Sequence, residues 1–86
     1  MNVIRLNQEA REMKVMMITN SIKKSLDAGK TINYLNLVMS SKVNLNLSGP
    51  TTKDYIERAM FKLGIKKIED LEDEKYAKLW SSTKDE

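Results

Sequence analysis

The chain predicts an all-α protein, a compact bundle of about four helices, on three observations. Between Ser48 and Gly64, Thr52, Tyr55, Ile56, Ala59, Met60 and Leu63 recur at i, i+3, i+4, i+7, i+8 and i+11, the spacing of one helical face. From Asn7 to Asp27 nothing breaks a helix, and Gln8, Glu9, Ala10, Arg11, Glu12, Met13 and Lys14 are good helix formers. After Gly64 no turn such as Asn-Gly joins two alternating stretches, so no hairpin is in view.

The elements follow in order. Residues 1–6 place Val3, Ile4 and Leu6 around Arg5 and are too short to classify. The first helix runs from about Asn7 to Asp27 and closes at Asp27-Ala28-Gly29, where glycine suits a left-handed cap. Its apolar residues form two groups. Leu6, Ala10, Met13 and Met17 lie on one side, and Val15, Ile18, Ile22 and Leu26 roughly 150° away at 100° per residue. The helix therefore kinks or is buried on two sides, the second partner being the C-terminal segment or another copy of the chain. All-round internal contact is the favoured expectation, because methionine fills irregular gaps.

A second helix starts at Lys30-Thr31, with Thr31 as its cap and Ile32, Leu35, Val38, Met39 and Val43 as inward positions. The run Val43-Asn44-Leu45-Asn46-Leu47 alternates as a strand does. With no hairpin partner, the favoured expectation is that Val43 ends the helix and Leu45 and Leu47 plug the core from an extended connection. The third helix carries the best signals. Ser48 is an N-cap, Pro50 suits a first turn whose N–H groups lack partners, and Gly64 stops it. Ile65 to Ile68 could be a stub of strand. Asp70 to Trp80 reads as a last helix, with Asp70, Glu72, Asp73 and Glu74 at its positive end and Leu71, Tyr76, Leu79 and Trp80 on its apolar side.

Composition bounds the function. Eighty-six residues make one domain, residues 1–80, followed by a polar, frayed tail at 81–86, and leave little room for a cleft. Hydrophobic content of 41%, charged content of 31% and a mean hydropathy of −0.50 mark a soluble chain. No run approaches the roughly 20 apolar residues of a membrane span, and no signal-peptide core opens the chain, so a cytoplasmic protein is expected. Without cysteine there is no disulfide, and without cysteine or histidine the usual zinc sites are impossible. The missing histidine also removes the commonest general base. Neither a nucleophile-base set nor a phosphate loop is present, so no enzyme, cofactor or small-molecule substrate is expected. The acidic run Glu69 to Glu74 lacks the ordered spacing and glycine of a calcium loop and reads as a solvated helix start. The net charge of +3 hides an asymmetry: residues 1–68 hold 12 basic against 5 acidic side chains, residues 69–86 hold 3 against 7. The first part is the surface for a polyanion.

Helix, short helix, connection and capped helix is the order of a three-helix helix-turn-helix core. The run Leu47-Ser48-x-x-Thr51-Thr52-Lys53-Asp54-Tyr55-Ile56, followed by Leu63-Gly64-Ile65, resembles the recognition helix of archaeal winged-helix and related helix-turn-helix DNA-binding proteins. Ile22 to Val43, with Gly29-Lys30 at the joint, resembles their paired helices, and the likeness covers roughly Met13 to Ile68. Two departures stand out. The connection from Ser40 to Leu47 is longer and more polar than a tight turn, and an acidic helix stands where a wing would be, so the wing is reduced or absent.

The resemblance implies double-stranded DNA as the partner and a transcription regulator or chromosome-associated factor as the role. It places DNA contacts at Ser48, Gly49, Thr51, Lys53 and Asp54, with Arg58 a turn further on. Lys42 could flank the same groove, and Lys23, Lys24 and Lys30 are candidates for phosphate contacts. Asp54 and Glu57 on the outward face count against tight phosphate contact. Phe61 also points outward on this helix, covered either by Leu71, Tyr76, Leu79 or Trp80, which is favoured, or by a protein partner. Trp80 reads as a core plug. A second reading, from a different class, is a non-enzymatic accessory subunit that docks on a larger replication or transcription enzyme. Met13, Met17, Phe61 and Trp80 are its candidate interface residues, and a homodimer could use them too.

Overall fold

The structure is a computed structural model that describes the backbone of residues 3–83 and the side chains of residues 7–83. It contains five helices: α1 Val3–Asp27, α2 Tyr34–Leu45, α3 Gly49–Leu63, α4 Ile68–Leu71 and α5 Glu74–Thr83. Among the described residues there is no strand, so both the Val43–Leu47 alternation and the Ile65–Ile68 stub resolve as something else. The predicted tail at Ser81 to Glu86 is helical through Thr83, and its remaining three positions lie outside the described residues.

α1 is uninterrupted over 25 residues and packs on α3 and α5. The two-sided expectation fails. Val15, Ile18, Ile22 and Leu26 are buried, whereas Met13, Met16 and Met17 stay 57–67% exposed. Of the other two members of that group, Ala10 is exposed and Leu6 has its side chain outside the described residues. The physical reason is supply: α3 and α5 cover one side of α1, and no described element is left for the other. The helix ends as its glycine predicts. Gly29 takes φ +71, its N–H donates to the Leu26 carbonyl at 2.9 Å, and the Lys30 N–H donates to the Ser25 carbonyl at 2.9 Å.

α2 starts later and faces differently from its predicted form. Its cap is Asn33, not Thr31, with the Asn33 carboxamide oxygen accepting from the Asn36 N–H at 3.0 Å. Leu37, Val38 and Ser41 are the buried residues, while Leu35, Met39 and Val43 are 68%, 66% and 77% exposed. Distant contacts set this phase. The Ile32 N–H donates to the Leu71 carbonyl at 2.7 Å and the Tyr34 N–H to Glu72 Oε2 at 2.9 Å, so the α4 end holds the entry to α2. The helix then runs past Val43 to Leu45, which packs on the core from the last turn, and Asn46 closes it at φ 53 in the left-handed region. Asparagine tolerates that region better than most residues.

α3 is built as its sequence predicts. Ser48 caps it, Pro50 sits in the first turn, and Gly64 closes it at φ +73. Thr52, Ile56, Ala59 and Met60 are buried, with Tyr55 and Leu63 packed at the edge. Buried Thr52 is satisfied, its hydroxyl donating to the Ser48 carbonyl at 2.7 Å.

The expected single helix from Asp70 to Trp80 is broken. The break comes because Asp73 starts a new helix, its carboxylate accepting from the Lys75 N–H at 2.9 Å, while Glu72 is engaged with Tyr34. Leu71 and Ala77 are buried and Tyr76 and Trp80 partly so, but Leu79 is 66% exposed. Trp80 locks α5 to α1: its indole N–H donates to Asp27 Oδ1 at 2.7 Å, and Tyr76 lies beside it with ring centres 6.4 Å apart.

Candidate nucleic-acid interface

Three residues, Asn46, Leu47 and Ser48, separate α2 from α3. The long polar connection expected between Ser40 and Leu47 is therefore a tight turn, because α2 takes up Ser40 to Leu45 and Asn46 makes the sharp bend. At the start of α3, Ser48, Pro50 and Lys53 are exposed, Gly49 and Thr51 half-buried and Thr52 buried.

There the side chains fall into two groups. Ser48 and Thr51 are engaged with each other: Ser48 Oγ accepts from the Thr51 N–H at 3.3 Å and donates to Thr51 Oγ1 at 2.9 Å. Gly49 and Lys53 are not so occupied. A Cβ built on Gly49 meets nothing within 4 Å, and its backbone has no positive φ, so neither packing nor conformation requires glycine there. Lys53 is exposed and forms no ion pair among the described residues, and the same holds for Lys42 in the last turn of α2.

Further along α3 the charges cancel. Asp54 Oδ2 accepts from Arg58 Nε at 2.9 Å, four residues apart on one face, and this hydrogen bond holds the guanidinium proton more firmly than usual. Lys62 reaches Glu12 of α1 at 3.3 Å. Phe61 stands between these pairs at 85% exposure. The expected cover by Leu71, Tyr76, Leu79 or Trp80 is absent, because α5 packs on α1 instead.

Of the other candidate cations, Lys23 is paired with Asp27 at 3.1 Å, and no hydrogen bond or ion pair links Lys23, Lys24 or Lys30 to α3. Met13 and Met17 are exposed as an interface would need, whereas Trp80 faces inward and its polar atom is used. Lys66 and Lys67 are not among the sequence-predicted contacts. Together with Lys53 and Phe61 they line a groove of about 760 Å³ beside the C-terminal half of α3. A second groove, about 510 Å³, runs between α1 and α3 along Glu12, Arg58 and Phe61. Their signal in the sequence is a Lys-Lys pair one residue past the Gly64 stop. No group of acidic residues among the described ones is arranged to hold a metal ion, and none of their helices is long and apolar enough to cross a membrane.

No protein-family model, curated protein or solved structure matches this chain.

Proposed function

We propose that the chain is a small, non-enzymatic DNA-binding protein, a transcription regulator or chromosome-associated factor, that lays the N-terminal half of α3 against double-stranded DNA. One observation carries it: a three-residue turn joins α2 to α3 and leaves Ser48, Pro50 and Lys53 exposed around Gly49, a half-buried glycine that the fold does not need. A helix N-terminus favours an anion, and Gly49 lets backbone approach a phosphate. Lys53 and Lys42 supply the nearby cations, and Lys66 and Lys67 add charge beyond α3. Because Asp54 engages Arg58, few cations are free, so binding is modest and its salt dependence shallow, with a slope of log affinity on log salt of about −2 to −4 for roughly two to four phosphate contacts.

The test is fluorescence anisotropy on a labelled duplex between about 50 and 200 mM salt. Lys53→Ala is expected to weaken binding several-fold and flatten the slope by about 1. Gly49→Ala is expected to weaken binding while leaving the helical circular dichroism and stability intact. Affinity and slope unchanged in both variants would remove α3 from DNA.

The second reading, an accessory subunit docking on a larger protein, is favoured by Phe61. An aromatic side chain 85% exposed between two grooves, flanked by the Asp54–Arg58 and Glu12–Lys62 pairs, suits a protein surface better than a phosphate backbone. Under it, Phe61→Ser abolishes recovery of a large partner from cell extract and leaves any DNA affinity unchanged.

A further inference from the structure

The outer face of α2 is unlike the other solvent-facing helix surfaces of this protein. α2 has 12 residues and a single charged one, Lys42, whereas α3 presents Lys53, Asp54, Glu57, Arg58 and Lys62 outward. In place of charge α2 shows two rows, each at steps of four residues and so running along the helix. One row is Leu35, Met39 and Val43, at 68%, 66% and 77% exposure. The other is Asn36, Ser40 and Asn44, all exposed. The inner side, Leu37, Val38 and Ser41, is already committed to the core.

Each row reads the same in chemical type from either end: apolar, methionine, apolar, and amide, hydroxyl, amide. A two-fold interface sets residue i against residue j of the partner and j against i, and rows of this kind meet that demand by placing apolar against apolar and amide against amide. An antiparallel copy centred at Met39 and Ser40 sets Leu35 against the second copy's Val43, and Asn36 against its Asn44. Carboxamides both donate and accept, so two identical ones satisfy each other without a complementary partner. Small Ser40 at the centre permits close approach. Lys42 stays at the rim, and no carboxylate is present to select a basic partner. We propose that this face is where two copies of the chain meet, α2 against α2.

The interface is small. Twelve residues of helix span roughly 18 Å, and such a contact falls short of the roughly 800 Å² per partner of a standard stable interface. The pair is therefore concentration-dependent, forming and dissociating over the range that solution methods reach. Pairing through α2 is independent of whether α3 meets DNA, and the measurement below contains no DNA.

Because Met39 lies at the two-fold centre, it faces its own copy, which makes a charge test specific. Sedimentation velocity or light scattering on the full chain, up to about 1 mM, is expected to show the mass rising from 9.9 kDa toward twice that value. Met39→Lys and Met39→Glu each place like charges in contact and should stay monomeric over the whole range. Mixed one to one, they should recover the dimer. At 66% exposure the site tolerates either substitution, and unchanged helical circular dichroism verifies it. A wild-type chain that remains monomeric overturns the proposal, leaving the face to a different partner. So does a dimer that both charged variants retain, which would move the contact to the Met13, Met17 and Phe61 side. Failure of the mixture to dimerise overturns the antiparallel register at Met39.

Discussion

Phe61→Ser separates two arrangements that differ by several kcal/mol. A phenylalanine packed under α4 and α5 would bury about 150–250 Å², and truncating it would cost about 3–5 kcal/mol. In the structure its exposure is 85%, so only the remaining fraction, about 30 Å² of such a side chain, is kept from water. At about 25 cal/mol per Å² this comes to about 0.7 kcal/mol, an upper estimate because an unfolded chain also shields some of that area. Serine has a lower helix propensity than the best formers but is close to phenylalanine on that scale, so the backbone adds little. Urea unfolding followed by circular dichroism at 222 nm is therefore expected to show a loss below about 1 kcal/mol with an unchanged m-value. Ile56→Ala in the same helix, fully buried, should lose about 2–5 kcal/mol. A loss of 3 kcal/mol or more for Phe61→Ser would refute the exposed placement and return the residue to the core.

Two further substitutions test the joints between elements. Gly29→Ala forces a side chain into φ +71 and sets its Cβ 3.2 Å from Ser81 Oγ, so a destabilisation of about 1–2 kcal/mol is expected in a thermal melt. A neutral result would mean that residue 29 does not hold the left-handed conformation that ends α1. Trp80→Phe keeps an aromatic ring but removes the donor to Asp27, leaving a partly buried carboxylate with one bond fewer. A loss of about 1–3 kcal/mol by urea unfolding is expected, and less than about 0.5 kcal/mol would show that packing alone holds α5.

How far the fold could be read from residues depended on whether an element's polar side was marked. In α3 a capping serine, a first-turn proline, a closing glycine and a charged outer face all agree, and every inward position came out buried or packed. α1 and α2 carry apolar residues around most of their circumference, so periodicity named candidates for both sides without deciding between them. In α2 the decision fell to the Leu71 carbonyl and the Glu72 carboxylate, nearly forty residues away, which hold Ile32 and Tyr34 and thereby set the start and phase of the helix. The Val43–Leu47 alternation failed similarly, since a left-handed asparagine let α2 continue to Leu45. The break at Asp73 was legible in principle, because aspartate is a preferred helix start, but an acidic run offers several equivalent starts.

The same distinction governs the candidate interface. Gly49, Lys53 and the cap at Ser48 could be named in advance because they belong to α3, whose orientation its own sequence dictates. The tight turn before it could not, being obscured by the strand-like alternation, and the cancellation of Arg58 by Asp54 depended on a rotamer choice that spacing permits but does not require. The apolar side chains misassigned to the core, Met13, Met17, Leu35, Met39, Val43 and Leu79, are informative for that reason. A chain of 86 residues has too little material to cover every apolar face it makes. The rows on α2 stand out only after the core has claimed Leu37, Val38 and Ser41, because what remains outside is apolar and amide-rich with Lys42 as its one charge, a face that the helix's own periodicity could not tell from the buried one.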